Sequence, residues 1–294
     1  MSSEMRVTAE DLRQLGLAKV RENLVEESLE LFEQALALAE DDEARELITI
    51  NKAFSLLKME QSGPEVAILP RIVMRRGNLR HVVLAAYGLH QKFVTEKDYR
   101  KAGSYARIAL DTACELGHDT WKAAAFVAMG NAAVYDSRPE EAVEFYESAL
   151  PLLSSSAEDS VTRAFIAGNI GYCRLLCGDT DLGLKHVHEA VDLMFDAGTQ
   201  GHIAEPYIDL CMGYLDKGDL EKAAHFGNLG LENATEVRQV RNAHYLLGEI
   251  AYKQGDTATA EFHFDHLATH YPDFPHLKNL LFAIDLRKMV NFKL

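Results

Sequence analysis

One interval recurs through the chain and limits what it can fold into. Seven times a marker residue, usually glycine, is followed at a nearly constant distance by a second small residue. The markers are Gly16, Asn51, Gly88, Gly130, Gly171, Cys211 and Gly248, and successive markers lie 35 to 42 residues apart. The second residue follows by 12 positions in six copies and by 14 in the third, giving Ser28, Gly63, Ala102, Ala142, Gly183, Ala223 and Ala260. Spacing is held inside each copy and varies between copies. Packed helical hairpins require this, because an insertion inside a hairpin shifts its contact while one between hairpins need not. Small side chains at both positions let two antiparallel helices approach closely. A large residue four further on (Phe32, Tyr146, Val187 or Phe264) fills the adjoining gap.

Punctuation agrees with this reading. Turn signals fall between the two halves of a copy at Ser137-Arg138-Pro139, Cys177-Gly178-Asp179, Lys217-Gly218-Asp219 and Gln254-Gly255-Asp256. Strand signals are nearly absent. The second copy is the least regular, with Pro64 and Pro70 bracketing a short helix. After Pro272, the residues Leu277, Leu280, Leu281, Ile284, Leu286 and Met289 keep helical spacing, and Arg287, Lys288 and Lys293 make the end basic. The expectation is a helix over about 275–292 that caps the apolar face of the last hairpin.

The residues that carry the repeat are Met129-Gly130-x-x-Ala133 with Ala142-x-x-x-Tyr146-x-x-Ala149, and Leu247-Gly248-x-x-Ala251 with Ala260, Phe264, Leu267 and Pro272. They resemble the tetratricopeptide repeat family, whose pattern is W-x-x-L-G-x-x-Y…A-x-x-x-F…P. The resemblance covers about residues 8–272. The initial Trp is missing from every copy, and Pro closes only the last. The longest spacings exceed the usual ~34 residues and are similar to those of kinesin light chains and bacterial peptide-sensing regulators. The resemblance implies an all-α, right-handed α-α superhelix, a single solenoid of about seven hairpins plus the C-terminal cap. Its repeats would run over about 8–41, 43–77, 80–119, 122–156, 161–200, 203–236 and 238–272.

Composition removes several functions. Forty-five acidic and 30 basic side chains give a formal charge of −15, and no basic stripe with interleaved aromatics is present, so nucleic acid is not an expected partner. No stretch approaches the ~20 apolar residues of a membrane helix, and Met1 to Asp11 lacks the basic-then-apolar order of a secretory leader. Cys114, Cys173, Cys177 and Cys211 form no C-x-x-C pair; Cys173 and Cys177, one helical turn apart, read as small buried apolar residues. A cytoplasmic setting follows. Phosphate-binding, dinucleotide, nucleophile-elbow and H-E-x-x-H signatures are absent, so neither an enzyme nor a cofactor is expected. His263, His266 and His270 lie at offsets of 3 and 7 on one helical face. They read first as packing or surface residues, and only weakly as candidate metal ligands.

In this architecture the first helix of each hairpin lines a groove, and the face is set by register to the marker. The groove candidates are Asn131, Tyr135, Asn169, Tyr172, Glu205, Asp209, Met212, Tyr245 and Glu249. Aromatic, aliphatic and amide groups together suit a protein or peptide better than a small polar substrate. In chaperone-binding members of the family, two asparagines bond the ligand backbone while basic residues clamp its terminal carboxylate. Asn131 and Asn169 match the asparagines. Val127 stands in place of one basic residue, and Glu205 and Asp209 in place of two others. The acids point instead to a partner with a basic segment. The expected function is a binding scaffold or adaptor, with a peptide-sensing regulatory subunit as the alternative. Oligomeric state is left open.

Overall fold

The computed structural model describes residues 7–286 and residue 291, and every regular element among them is helical. Hairpins pair α1 (Ala9–Arg21) with α2 (Val25–Leu38), α3 (Asp42–Lys58) with α4 (Pro64–Arg75), and α5 (Leu79–Thr95) with α6 (Tyr99–Leu116). Next come α7 (Asp119–Tyr135) and α8 (Pro139–Ala149), α9 (Ala157–Leu176) and α10 (Thr180–Asp196), and α11 (Ala204–Lys217) and α12 (Leu220–Glu232). Last are α13 (Val237–Lys253) and α14 (Thr257–Ala268), followed by the short α15 (Leu277–Ala283). The chain forms two compact units where the sequence suggested one array. The N-terminal unit ends at Ala132 and the C-terminal unit begins at Ala133, so the division falls inside α7.

All seven hairpins turn in the same way. The residue that ends each inner turn has a positive φ: Asn23, Glu60, Lys97, Ser137, Gly178, Gly218 and Gly255. The next amide then bonds back across the turn, as in Asp98 N to Phe93 O and Asp256 N to Ala251 O, each at 2.9 Å. This closes the orphan carbonyls of the first helix. An aspartate at the following position then starts the second helix: Asp98, Asp219 and Asp256 accept from the amides of Lys101, Lys222 and Thr259 at 3.1 Å.

Close approach of the two helices is visible at the markers. A Cβ placed on Gly16 would lie 2.6 Å from Phe32, and one on Gly248 would lie 2.3 Å from Phe264. On Gly171 it would meet Val187 Cγ2 at 2.5 Å and the backbone of Gly183 and Val187 at 2.9 Å. Phe32, Val187 and Phe264 are fully buried. The sixth hairpin reverses the arrangement: Cys211 is the larger partner, and a Cβ on Gly227 would sit 3.1 Å from its sulfur. In the third, where the spacing is 14, Gly88 receives Leu69 of α4 instead.

Two expectations need correction. Pro70 does not end the helix that Pro64 begins: α4 continues through it to Arg75. Leu69 and Ile72, buried on either side of Pro70, pack with Ile50, Leu57 and Leu89 and hold the turn together despite the missing N–H. The terminal helix is also shorter than 275–292. It does cap α14, through buried Leu281, the edge-on Phe264–Phe282 pair (centroids 5.0 Å) and Lys278 on Asp265 at 2.9 Å. It stops at Ala283, and Ile284 is extended (φ −137°, ψ 140°). Arg287, Lys288, Met289 and Lys293 lie outside the described residues.

Substituting the glycines by alanine separates contact from propensity. Alanine gains up to about 1 kcal/mol in a helix interior, whereas overpacking costs about 1–3 kcal/mol. At Gly171 two of the opposing atoms are backbone and cannot rotate away, so Gly171→Ala lowers stability. At Gly103 the nearest atom is 3.8 Å off, so Gly103→Ala raises it by a few tenths of a kcal/mol to about 1. Urea unfolding of the two variants should move in opposite directions.

Candidate functional site

Of the nine groove candidates, Asn131 lies in the N-terminal unit and the other eight in the C-terminal unit. Within the C-terminal unit, α9 packs on α11 and α11 on α13, which places Tyr172, Asp209, Met212, Tyr245 and Glu249 on neighbouring inner helices. All five are at most 4% exposed. Residues lining an open groove would face solvent, so this burial requires a cover.

At Tyr172 and Tyr245 the C-terminal segment supplies such contacts. Tyr245 Oη accepts the backbone N–H of Leu286 at 2.8 Å and donates to Asp285 Oδ1 at 3.3 Å. Tyr172 Oη donates to Asn291 Oδ1 at 2.7 Å, and Asn291 Nδ2 donates to the carbonyl of Val134 at 2.7 Å. Val134 is in the last turn of α7, and its carbonyl also accepts the N–H of Ser137 at 3.1 Å. Two phenol hydroxyls and a helix-end carbonyl therefore hold one polypeptide segment, reading a backbone amide at one end and a side-chain amide at the other.

The remaining candidates have other duties. Asn169 hydrogen-bonds Tyr146, whose hydroxyl is held protonated, its pKa pushed well up chiefly by burial. Glu205 pairs with Arg238 of α13 at 2.7 Å, so one of the two expected acids already meets a basic side chain from within the unit. Tyr135 is half-buried at the end of α7. Reading by register missed Arg238, Asp285 and Asn291. The first lies outside the marker offsets, and the others follow a helix that stops earlier than its apolar spacing suggests.

His263 and His266 of α14 and His270 in the turn after it gather a fourth from α13. His244 Nδ1 lies 2.9 Å from His263 Nδ1, and His244 stacks on His266 with ring centroids 4.0 Å apart. His266 meets His270 edge-on at 5.9 Å. Among the described residues no group of three or more His, Cys, Asp or Glu is placed to hold a metal ion. Burial, then the neighbouring His266, His263 and His270, bring the pKa of His244 down to about 4. His263 is lowered by burial and by His266. Cys177 is likewise quiet: burial, then Glu140, pushes its thiol up to about 11, far from a reactive thiolate.

No protein-family model and no curated protein sequence matches the chain. Solved structures do. The apo form of RapI superposes with a TM-score of 0.71 at 13% identity, covering 97% of this chain and 83% of RapI. A signal-transduction ATPase from Pyrococcus horikoshii with a tetratricopeptide repeat sensor gives 0.69 at 13%, over 93% of this chain and 44% of that one. The chain has the tetratricopeptide-repeat fold. NprR in complex with its cognate peptide NprX shares it, with a TM-score of 0.70 at 12% identity over 96% of this chain and 83% of NprR. In this fold the first helices of successive hairpins form one face, which is where Tyr172 and Tyr245 stand.

The histidine stack makes stability depend on pH. A pKa held near 4 against an ordinary 6.5 means that the unfolded chain takes up the proton first. The contribution of His244 is complete above pH 6.5 and is lost as pH falls towards 4. Replacing His244 by Gln should flatten the fall in melting temperature between pH 7 and pH 4.5 relative to wild type. Parallel curves would remove the histidine from the account.

Proposed function

We propose that the inner-helix face of the C-terminal unit is a peptide-binding groove, and that the chain works as a non-catalytic, cytoplasmic scaffold for a protein or peptide carrying a basic segment. The observation that carries this reading is the pair Tyr172 and Tyr245, whose hydroxyls engage a backbone N–H and a side-chain amide of a polypeptide segment. A hydroxyl can both accept from and donate to a peptide: Tyr245 takes a backbone N–H, and both tyrosines donate to side-chain oxygens. Asp209 and Glu249, buried on the same face, make it acidic, and an acidic face favours a basic partner over an acidic one. NprR, which shares the fold, is complexed with a peptide. The net charge of −15 weighs against nucleic acid, and no described helix is long and apolar enough to cross a membrane.

The regulatory-subunit reading gains support from one feature: the face is engaged by the chain's own C-terminal segment, so a ligand arriving there would change that segment's position.

A peptide array that varies charge, read against the full chain, tests the proposal. Lysine- and arginine-containing peptides should bind and acidic ones should not. Asp209→Asn should weaken binding by about 2 kcal/mol, roughly 30-fold in Kd, while helical circular dichroism is kept. Equal binding of acidic and basic peptides would overturn the charge preference, and an array with no binder would remove the groove.

A further inference from the structure

We propose that a hollow at the first turns of α1, α3 and α5 binds a primary ammonium group carried on an aliphatic stem. The site belongs to the N-terminal unit alone. The repeat itself makes the room. Seven residues before the marker, five copies have alanine: Ala9, Ala44, Ala123, Ala164 and Ala204. The third copy has His81 there and the seventh Arg241. Ala9, Ala44 and His81 border one hollow of about 760 Å³, with Leu47 and Ile48 as further apolar wall. The alanines of the first two copies leave the space, and the histidine of the third faces it. His81 is only 3% exposed, and its Nδ1 lies 2.9 Å from Glu46 Oε1. A carboxylate only accepts, so Nδ1 carries the proton and Nε2 of the neutral ring keeps a lone pair. Nε2 has no hydrogen-bond partner among the described residues. Glu46 does not border this hollow, so the ring edge bearing Nε2 is the one turned to it.

Charge selects what enters. Arg13 is the one Lys or Arg on the hollow's wall among the described residues. It is already engaged by Glu10 at 2.6 and 2.7 Å and by Asn51 at 3.1 Å. Glu40, Asp41 and Glu43 complete the lining. Asp41 accepts the Ala44 N–H and Glu43 the Asn78 amide, each at 2.7 Å, and none of the three has an ion pair among the described residues. Three carboxylates and an imidazole lone pair offer acceptors, so a cationic donor is favoured and an anion is repelled. Among the described residues no three of His, Cys, Asp or Glu are placed to share a metal ion, so an organic cation is the ligand these acceptors fit. The apolar wall takes its stem, and the volume lies within the ~300–1,000 Å³ of small-molecule sites. A free alkylamine and the side chain of a lysine present the same chemistry.

Hexylamine titrated into the full chain, followed by calorimetry and by the imidazole Cε1–H resonances, tests the site. The His81 resonance is the one missing from the spectrum of His81→Ala, and hexylammonium should shift it. Methylammonium, hexanol and hexanoate should bind more weakly by about tenfold or more. His81→Ala carries the residue that five other copies have at this position, and Glu46 keeps Arg75 as a partner. It should weaken hexylammonium binding by about tenfold. Glu40→Lys, at an exposed position, should weaken it severalfold and leave the melting temperature unchanged. A blocked pentapeptide with a central lysine separates the two sources: tighter binding than hexylamine assigns a partner's side chain, weaker binding a free amine, and either upholds the ammonium site. Hexanoate or hexanol bound as tightly as hexylamine overturns it. So does a His81 resonance that neither amine moves, or an affinity that survives both substitutions.

Discussion

The first, fifth and seventh hairpins are closed by a contact between a glycine on one helix and a large residue sixteen positions later on the other. Gly16 against Phe32, Gly171 against Val187 and Gly248 against Phe264 all leave no room for a Cβ. The rest of the structure depends on this spacing, because it sets how near the outer helix lies to the inner one and therefore where the inner helices stand. What matters is complementarity and not the glycine: in the sixth hairpin, Cys211 and Gly227 exchange roles and the helices still meet. The left-handed turn of each hairpin complements the contact. It reverses the chain in the few residues that so close an approach allows, and where glycine is absent Asn23, Lys97 or Ser137 takes the strained conformation.

On the inner side of the C-terminal unit the same spacing produces a floor of phenols, acids and a methionine. Neither tyrosine hydroxyl acts alone. Tyr245 both donates and accepts at the start of the segment, and Tyr172 donates to an amide whose nitrogen in turn bonds the Val134 carbonyl. The chain's own Asp285, Leu286 and Asn291 satisfy these groups, since buried polar groups cost free energy unless paired. The histidine stack of α13 and α14 solves a different problem. His244 and His263 lie within hydrogen-bond distance in a half-dry space, and their lowered pKa values follow first from burial, with no catalytic role required.

The hairpins were legible because their determinants are local or recur at fixed offsets. A marker, a small residue 12 further on and a Gly-Asp turn can be read without coordinates. The site was legible only in part. Register to the marker found Tyr172, Asp209, Met212, Tyr245 and Glu249, which share the inner face. The same rule selected Asn169, whose amide is taken by Tyr146, and Glu205, which Arg238 neutralises. Partners of that kind come from other helices at separations with no fixed interval.

By itself the sequence determined that the chain is helical, that it pairs its helices in hairpins at a constant spacing, and which face of each inner helix bears aromatic and acidic groups. Those properties follow from helical periodicity and side-chain volume. Only the tertiary structure decided that α4 runs through Pro70, that His244 joins the histidines of α14, and that Ile284 is extended. In each case the local preference is worth about a kcal/mol or a few, and contacts distant in sequence outweigh it. For the C-terminal segment those contacts are the hydroxyls of Tyr172 and Tyr245, more than a hundred and about forty residues away.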